Sequence, residues 1–407
     1  MLKKLRHVIG CAAALAIITA FGLPQVFALG FRNPDQDARA TGQGEAFVAQ
    51  ADDASAIYYN PGGLTQIQGT EITSGGMVDF PEAHLKGTGP GGQMNDMAFL
   101  PHLYISTDFG LTNSPWRVGL GFNVPFGQAA DYSRNGPFRY IVTSASLAVF
   151  NIEPTVAFKV NDHLSLGAGL NIYEATTDLR QHVAIPIPGA PDGQFHFYGD
   201  GLSFGATAGL MYKITPQHTV GVVYRSPFTV GFDGNASLNT ELGTQAKSAH
   251  SSINFPQSVA GGYAFRPIKK LKLEVDIEWT NWEPLHSVVL HAPGTSFDGT
   301  TIPFNWQDSF FYEFGAEYEI NDQWTVRAGY IYSDNTVPNS TFSPSVPDSN
   351  RQVFSVGLGY ALTKRYNVDV VYQHSYSQNR TVDNGTAADG VWESHGDAVI
   401  FTSSMKF

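Results

Sequence analysis

Apolar and polar residues alternate with a period of two along most of the chain after residue 69. In one segment Leu164, Leu166 and Ala168 share one face, while Ser165 and Gly167 share the other. The alternation recurs in segments of about ten residues, and no window predicts a helix that spans a membrane. Because successive side chains of an extended strand point to opposite faces, the pattern predicts a long series of β-strands.

Short polar turns and long irregular loops are predicted to alternate between these strands. The short turns are expected at 109–115, 161–163, 215–217, 266–269, 321–323 and 363–365. The long loops are expected at 80–98, 126–144, 179–199, 233–247, 283–305, 334–350 and 377–397. Fourteen strands lie between them, an even number that returns the chain to its starting side. This order is typical of a transmembrane barrel with short periplasmic turns and long exterior loops.

A soluble β-sandwich also alternates and is the main alternative. Two features favour a barrel: aromatic residues near strand ends, as in interfacial girdles, and a last strand that ends on an aromatic residue. The girdle set is Trp279, Trp282, Trp324, Tyr330, Tyr332, Tyr360, Tyr366, Tyr372 and Tyr376. The last strand carries Val399, Phe401, Ser403, Met405 and Phe407. The sequence therefore predicts an all-β, 14-stranded antiparallel transmembrane barrel at 70–407, with a C-terminal strand that the barrel assembly machinery reads.

Residues 1–28 have the pattern of a secretory signal, with basic residues before an apolar core at 8–23. A small-residue cleavage site follows at 26–28, so the mature chain is expected to begin near Leu29. The alternative is a membrane anchor. It is disfavoured because the apolar core is shorter than the roughly 20 residues of a spanning helix, and Pro24 ends it.

Cys11 is the only cysteine and lies inside the predicted signal, so no structural disulfide and no thiolate metal site are expected after export. Lipoprotein processing at Cys11 is disfavoured because the cysteine precedes the apolar core. With 24 basic and 36 acidic residues the formal net charge is −12, and no basic patch predicts nucleic-acid binding. Only 15% of residues are charged while 13% are aromatic, which is unusual for a soluble protein of this size.

Fourteen tilted strands enclose a lumen too wide for wall side chains to fill. Residues 29–69 carry no long periodicity and are rich in glycine, alanine, aspartate and asparagine, so they are expected to form a compact hatch in that lumen. The alternative is an ordinary N-terminal arm. The hatch is expected to depend on a turn and on side chains that cap backbone amides. Its expected residues are Asp52, Asp53, Ser55, Asn60, Pro61 and Gly62.

The segment at 51–64 resembles the N-terminal hatch of the outer-membrane long-chain fatty-acid transporter family, whose members also import aromatic and aliphatic hydrocarbons. The family's Asp-Asp-Ala-Ser run is matched at 52–55, and its Asn-Pro-Ala begins at 60–61 but has Gly62 in place of alanine. The resemblance covers essentially the whole mature chain. Further matching segments lie at 116–127, 224–227 and 347–351.

This resemblance implies passive, ligand-gated uptake of long-chain fatty acids or similar hydrophobic compounds across a Gram-negative outer membrane. The ligand would leave sideways into the bilayer where strand three kinks inward. Pro125 removes a ladder donor and Gly127 tolerates a bend, so the kink is expected here; the alternative is that Pro125 merely ends the strand. The expected lateral opening consists of Phe122, Asn123, Pro125, Phe126 and Gly127.

Loop 179–199 is unusually apolar for an exterior loop and is expected to capture the ligand, although packing within the loop is an alternative. Arg139 or Arg180 is expected to hold a ligand carboxylate, because arginine can donate two parallel hydrogen bonds. A lysine seen in the fatty-acid transporters is replaced by Gln307, followed by Asp308, which favours an uncharged hydrocarbon. The loop's expected ligand-binding residues are Val183, Ile185, Ile187, Phe195 and Phe197.

Residues 201–205 match a nucleophile-elbow pattern, but the strand alternation continues through them, so Ser203 is expected to be a wall residue. The 12 histidines show no metal-ligand spacing. We therefore expect no enzymatic activity, cofactor or metal. The expected partners are a hydrophobic ligand, outer-membrane lipid and lipopolysaccharide, with the chain as a monomer. A general porin or a structural barrel is the alternative from another functional class.

Overall fold

The computed structural model describes residues 30–95, 97–111 and 114–407. The predicted signal at 1–28 and the expected first mature residue, Leu29, lie outside the described residues. Within the described part of the chain, no helix has the length and apolarity needed to span a membrane.

The alternating segments form twenty β-strands among the described residues, and eighteen of them make one continuous sheet. The strands are β1 (Thr70–Leu85), β2 (Gln93–Asn95), β3 (Ala98–Thr107), β4 (Trp116–Asp131), β5 (Ser144–Lys159), β6 (Leu164–Val183), β7 (Gly193–Thr215), β8 (His218–Arg225), β9 (Phe228–Thr240), β10 (Gly243–Phe255), β11 (Gln257–Ile268), β12 (Leu271–Asn281), β13 (Ser287–Val289), β14 (Thr301–Pro303), β15 (Ser309–Glu319), β16 (Trp324–Ser333), β17 (Arg351–Ala361), β18 (Tyr366–Ser377), β19 (Arg380–Val382) and β20 (Gly390–Lys406).

The sheet closes on itself because β1 pairs antiparallel with β3 on one side and with β20 on the other. Four wall strands are each interrupted once, as β2/β3, β8/β9, β10/β11 and β18/β19, so the eighteen strands make fourteen crossings. Two of the breaks fall at Pro227 and Pro256, since proline cannot donate to the ladder. The predicted fourteen-stranded antiparallel barrel is confirmed. The short strands β13 and β14 form a separate hairpin.

The two faces of the wall differ sharply in chemistry. Large apolar side chains point outward and are exposed, as expected for a surface in contact with lipid. Examples are Leu120, Leu166, Leu170, Phe204, Val222, Ile277, Phe314, Val356 and Phe401. Charged side chains on the inner face are buried. Examples are Glu153, Asp276, Glu313, Glu317, Arg327 and Asp369.

Residues 30–69 lie inside this ring and are almost entirely buried. Asp37 and Asn60 start two of the segment's short helices, where their side chains accept hydrogen bonds from the N–H groups of Arg39 and Gly62. The helices are α1 (Ala38–Thr41), α2 (Ala56–Tyr59) and a 3₁₀ helix (Pro61–Gln66).

Several segments predicted as irregular loops are instead extensions of the wall strands, so their predicted bounds are wrong. In the predicted loop 179–199, only residues 184–192 connect β6 to β7. In 233–247, only residues 241–242 separate β9 from β10. The alternation continues past the lipid-facing band because the inner faces of these extensions cover an apolar cavity.

Trp282 does not belong to an interfacial girdle, contrary to the prediction. It is 1% exposed and lies in the lumen, where its ring contacts Phe31 and Trp306. It follows the last residue of β12, where the chain leaves the wall. Outside the strand, the alternation of apolar and polar residues therefore no longer determines the face on which the Trp282 side chain lies.

Candidate functional site

The third wall strand, β4, leaves its neighbour β3 halfway along its length. The β3–β4 pairing ends at Leu103 and Phe122. On the other side, the β4–β5 register shifts by one residue between Asn123 and Phe126. Pro125 lies within this bulge and has no N–H group for the ladder. The wall is therefore locally open between β3 and β4.

The bulge also exchanges the two faces of β4. Before it, Arg117 and Gly121 face the lumen and contact the N-terminal segment. After it, Phe126 and Gln128 face the lumen. A shift of one residue moves every following side chain to the opposite face. Gly127 consequently lies on the outward side, beside the gap.

The N-terminal segment supplies hydrogen bonds to the edge of β4 that β3 leaves. The Asn33 N–H donates to the Pro125 carbonyl at 2.8 Å, and the Gly127 N–H donates to the Phe31 carbonyl at 2.7 Å. Exposed backbone groups at membrane depth are tolerated only where protein or a cavity covers them. The gap can therefore exist because residues 31–33 pair with the edge of β4 in place of a neighbouring wall strand.

The Gln36 side chain also supplies hydrogen bonds to β4 that a neighbouring strand would otherwise supply. Its amide oxygen accepts from the Val124 N–H at 3.1 Å, and its amide nitrogen donates to the Val124 carbonyl at 3.1 Å. Both backbone groups of the bulge residue are thus satisfied by one side chain of the N-terminal segment.

The lumen beside the gap is apolar. Val124 packs into a buried cluster drawn from five wall strands and α1. On the outward side of the wall, Phe122 stacks on Phe150 with ring centroids 6.2 Å apart. Such a surface suits a ligand that passes from the lumen into lipid. The cluster consists of Ala38, Met77, Ala98, Leu100, Val124, Val371, Ala398 and Ile400.

A cavity of about 410 Å³ lies in the lumen next to the β4 bulge, beneath the exterior connections, and both Phe31 and Gln128 line it. The extensions of β5–β7, β9 and β10 form one wall, and the β13–β14 hairpin with its loop forms the other. The lining is mainly apolar, as in most small-molecule sites. Representative lining residues are Phe31, Leu147, Leu179, Phe195, Leu290 and Phe297.

The structure places three of the five predicted capture residues on this cavity. Val183, Phe195 and Phe197 line it. Ile185 is half-buried on the β6–β7 turn, and Ile187 is 46% exposed at the same turn. The three residues that lie on the inward faces of β6 and β7 therefore line the cavity, while the two residues on the turn between these strands lie outside it.

An aromatic cluster separates the cavity from the gap. Phe31 lines the cavity and contacts Trp306 at 4.7 Å between ring centroids, while Phe126 on the bulge contacts Phe255 at 5.1 Å. Sequence reasoning missed this cluster because its members come from separate elements. They are Phe31, Phe126, Phe228, Phe255, Trp282, Phe304 and Trp306.

The two predicted carboxylate-binding arginines are engaged with aspartates. Arg180 donates to Asp178 at 2.9 Å, and Arg139 donates to Asp192 at 3.1 Å. Hydrogen bonds from Tyr140 and Arg139 hold the pKa of Asp192 below its usual range, although slight burial opposes them. Among the described residues, neither arginine lines the cavity, whereas Asp178 does.

The pair that replaces the family's lysine also lies off the cavity. The Gln307 N–H donates to the Thr336 carbonyl at 2.9 Å. Asp308 accepts from the Trp279 indole at 2.9 Å and from the Asn281 amide at 2.8 Å. Neither residue is among those that line the cavity in the described part of the chain.

Charged side chains join the N-terminal segment to the wall. Arg39 contacts Asp52 at 2.9 Å and Asp53 at 2.8 Å. Lys272 on β12 contacts Asp52 at 2.9 Å and Glu317 on β15 at 2.7 Å. Burial raises the pKa of Asp52, but Lys272 and Arg39 lower it more strongly, so it lies well below its usual value.

The predicted capping roles are divided among these residues. Asp53 accepts from the Ser55 N–H at 2.9 Å, as expected of a cap. Asp52 instead pairs with cations, and the Ser55 side chain makes no capping bond to α2. The expectation is therefore wrong for Asp52 and Ser55, because buried cations engage the Asp52 carboxylate and the Ser55 hydroxyl donates to the Asp53 carboxylate instead.

The turn at Pro61 and Gly62 packs directly against the wall. A Cβ atom at Gly62 would lie 3.2 Å from the Met211 nitrogen and 3.3 Å from the Ser165 oxygen. The Asn60 amide donates to the Leu210 carbonyl at 3.0 Å. Glycine in place of the family's alanine thus lets the turn approach β6 and β7 closely.

Comparisons with known proteins agree with this architecture. A family model described as "Outer membrane protein transport protein (OMPP1/FadL/TodX)" matches residues 19–407. The long-chain fatty acid transport protein of Escherichia coli strain K12 is 24% identical, over 97% of this chain and 98% of that protein.

Solved structures share the fold. A Pseudomonas aeruginosa FadL homologue superposes with a TM-score of 0.85 at 21% identity, over 93% of this chain and 100% of that one. The Pseudomonas putida toluene transporter TodX superposes with a TM-score of 0.75 at 16% identity, over 94% and 100% respectively. With the closed barrel and the family match over most of its length, the chain belongs to the OMPP1/FadL/TodX family of outer-membrane transport proteins.

Proposed function

We propose that this protein takes up long-chain fatty acids or similar hydrophobic compounds across the outer membrane by passive, ligand-gated diffusion with lateral exit. One observation carries the proposal. Phe31 lines the apolar cavity, while its carbonyl accepts the hydrogen bond from Gly127 at the gap in the wall. Binding in the cavity and opening at β4 thus involve the same N-terminal residue. The transport proteins that resemble this chain support the same function.

Lateral exit suits an apolar cargo on energetic grounds. Each CH₂ group moved from water to an apolar phase gains about 0.8 kcal/mol, so a ligand gains nothing from a water-filled path to the periplasm. The ligand would pass the aromatic cluster and the apolar surface around Val124, and then leave between β3 and β4. The residues of this exit are those predicted from the sequence, Phe122, Asn123, Pro125, Phe126 and Gly127.

In this proposal residues 29–69 act as the hatch and residues 70–407 as the transmembrane barrel, after removal of a signal at 1–28. The ionic contacts of Arg39 and the turn at Asn60 keep the hatch in register with the wall. Movement of the first few hatch residues then opens the path, while the network around Asp52 keeps the rest of the hatch in place.

We further propose that the protein acts as a monomer surrounded by outer-membrane lipid and lipopolysaccharide, and that the assembly machinery recognises the strand ending at Phe407. The protein has no enzymatic role in this proposal. Ser203 supports that reading because it lies within β7 and donates to the Thr229 carbonyl at 2.8 Å, as a wall residue does.

The test is uptake of a labelled hydrophobic compound by cells with and without the gene, at matched levels of other porins. Faster uptake in the presence of the protein is expected. Equal uptake of both a labelled fatty acid and a labelled hydrocarbon would contradict the proposal.

A further inference from the structure

Two polar side chains face the cavity from neighbouring wall strands. Gln128 on β4 lies opposite Leu147 on β5, which lies opposite Thr177 on β6, and all three line the cavity. Because directly opposed residues of a sheet share a face, Gln128 and Thr177 lie on either side of Leu147 on the inward face. Ser146 and Asp178 also border the cavity, but they alternate with Leu147 and Thr177 and so lie on the outward faces of β5 and β6.

Several hydroxyl groups that line the cavity donate their hydrogens to backbone carbonyls of the protein. A carbonyl oxygen can only accept, so the hydroxyl is the donor in each pair. The pairs are Thr177 with Ser146 at 3.1 Å, Ser251 with Val289 at 3.1 Å and Thr300 with Phe297 at 2.8 Å. These hydroxyl groups therefore offer a ligand their lone pairs and not a hydrogen.

The Gln128 amide adds a further acceptor. Its nitrogen donates to the Ala129 carbonyl at 3.1 Å. Since that carbonyl can only accept, the amide nitrogen lies on its side and the amide oxygen lies on the other. The side chain is buried, and this oxygen has no hydrogen-bond partner among the described residues. A buried acceptor without a partner is unfavourable, so a ligand that supplies a donor would be stabilised here.

We propose that the cavity binds hydrophobic ligands that carry a hydroxyl donor, such as long-chain alcohols and alkylphenols, and that Gln128 and Thr177 accept the hydrogen bond. The inference rests on the proposed function, since it assigns a ligand class to the same cavity. An ether has an oxygen but no O–H, and an ionised carboxylate can only accept, so neither can pair with these oxygens. The apolar remainder of the lining would hold the alkyl part of the ligand.

The hydroxyl end of the ligand is expected at the end of the cavity beside the gap. Gln128 directly follows Gly127, whose N–H donates to the Phe31 carbonyl at 2.7 Å, and Phe31 and Gln128 both line the cavity. The alkyl part would then extend toward the β13–β14 hairpin, where Val288 and Ile302 line the cavity. The ligand's polar end would thus contact the strand that opens.

The test compares 1-octanol with heptyl methyl ether, an isomer that lacks the O–H, by equilibrium dialysis against the purified full-length mature protein. Octanol is expected to bind about tenfold more tightly, which is the factor that one well-made hydrogen bond can supply. Equal or tighter binding of the ether overturns the inference while leaving the proposed function intact. If neither compound binds, the cavity is not the ligand site and both proposals fail.

Variants on the two faces of the wall test the assigned acceptors. The double variant Gln128→Met, Thr177→Val removes both acceptors with little change of shape, so the ratio of octanol to ether affinity should fall to about one. Thr176→Val, on the outward face of the same strand, is the matched control and should keep the wild-type ratio. A wild-type ratio in the double variant, or an equal loss in Thr176→Val, overturns the assignment.

Thermal unfolding of these variants confirms that each is folded. If the double variant does not fold, Thr177→Val alone decides the question, because it removes one acceptor and is expected to lower the ratio at least about twofold. An unchanged ratio in a folded Thr177→Val protein would then overturn the role of Thr177 as an acceptor.

Discussion

Arg39 is the side chain that most directly ties the N-terminal segment to itself and to the wall. It contacts Asp52 and Asp53 within the segment and lies 3.5 Å from Glu317 on β15. Beyond it, Arg327 contacts Glu317 at 2.7 Å and Asp369 on β18 at 2.6 Å. The segment is therefore held against the wall by a buried ionic network. Each carboxylate in this network contacts an arginine that also contacts another carboxylate.

Replacing Arg39 with alanine is expected to loosen the docked segment. Removal of one partner from a buried ionic network leaves uncompensated carboxylates and typically costs about 3–5 kcal/mol. The expected result is faster amide hydrogen exchange in residues 30–69 with the barrel strands unchanged. Arg365→Ala, on an exposed turn, is the control and should leave exchange unaltered. Wild-type protection in Arg39→Ala would show that the network does not hold the segment.

The ionic network was not predicted from the sequence, although one signal for it was present. Lys272, Glu274, Asp276 and Glu278 occupy every second position of β12, which marks a charged inner face. Their partners on other strands and on the N-terminal segment become neighbours only after the barrel closes. The alternation thus reveals the charged face, while the pairing depends on the closed register.

At the scale of elements, β4 and residues 31–33 behave as two short antiparallel strands. Arg32 and Phe126 lie opposite each other, flanked by the bonds from Asn33 to Pro125 and from Gly127 to Phe31. They therefore form a non-hydrogen-bonded pair, whose Cα atoms are typically about 4.5 Å apart. That separation is within the range that a disulfide spans.

The double variant Arg32→Cys, Phe126→Cys is expected to lock the N-terminal segment to β4 when oxidised. Uptake of a labelled hydrophobic compound should stop in the oxidised protein and return after reduction, because the segment has to move for the ligand to leave. Each single-cysteine variant under the same oxidation serves as the control, since the mature chain is expected to have no other cysteine. Equal uptake by the oxidised and reduced double variant would mean that this contact need not open.

The elements were predicted unequally well. Strand number and closure follow from period two, which holds through regular strands such as β6 and β18. Loop bounds failed at 179–199 because Leu179 and Val183 continue the same alternation around the cavity. The bulge at Pro125 was predicted as a kink from proline and glycine. The hydrogen bonds that replace the lost ladder come from residues 31–36, and no local pattern reveals so distant a partner.

At the scale of the whole molecule, the described N-terminal segment occupies the lumen from the β3–β4 side to β12 and β15. Because this segment fills much of the lumen, we expect the protein to lack a continuous aqueous path for ions. In planar-bilayer recording we expect the wild-type protein to give no large, steady conductance, in contrast to a general porin reconstituted in the same way. A large and steady conductance would identify a water-filled channel and would support the general-porin alternative.

The central claim is that the ligand leaves sideways through the gap beside Gly127, and its most direct test is uptake by Gly127→Phe. The outward-facing phenylalanine should fill the gap, so uptake of the labelled hydrophobic compound should fall to the level of cells without the gene, while the purified variant should still bind that compound. Gly261→Phe is the control for adding a phenylalanine to the lipid-facing surface, because a Cβ at Gly261 has no atom within 4 Å on that side of β11. Normal uptake by Gly127→Phe at wild-type surface levels would contradict lateral exit at this position.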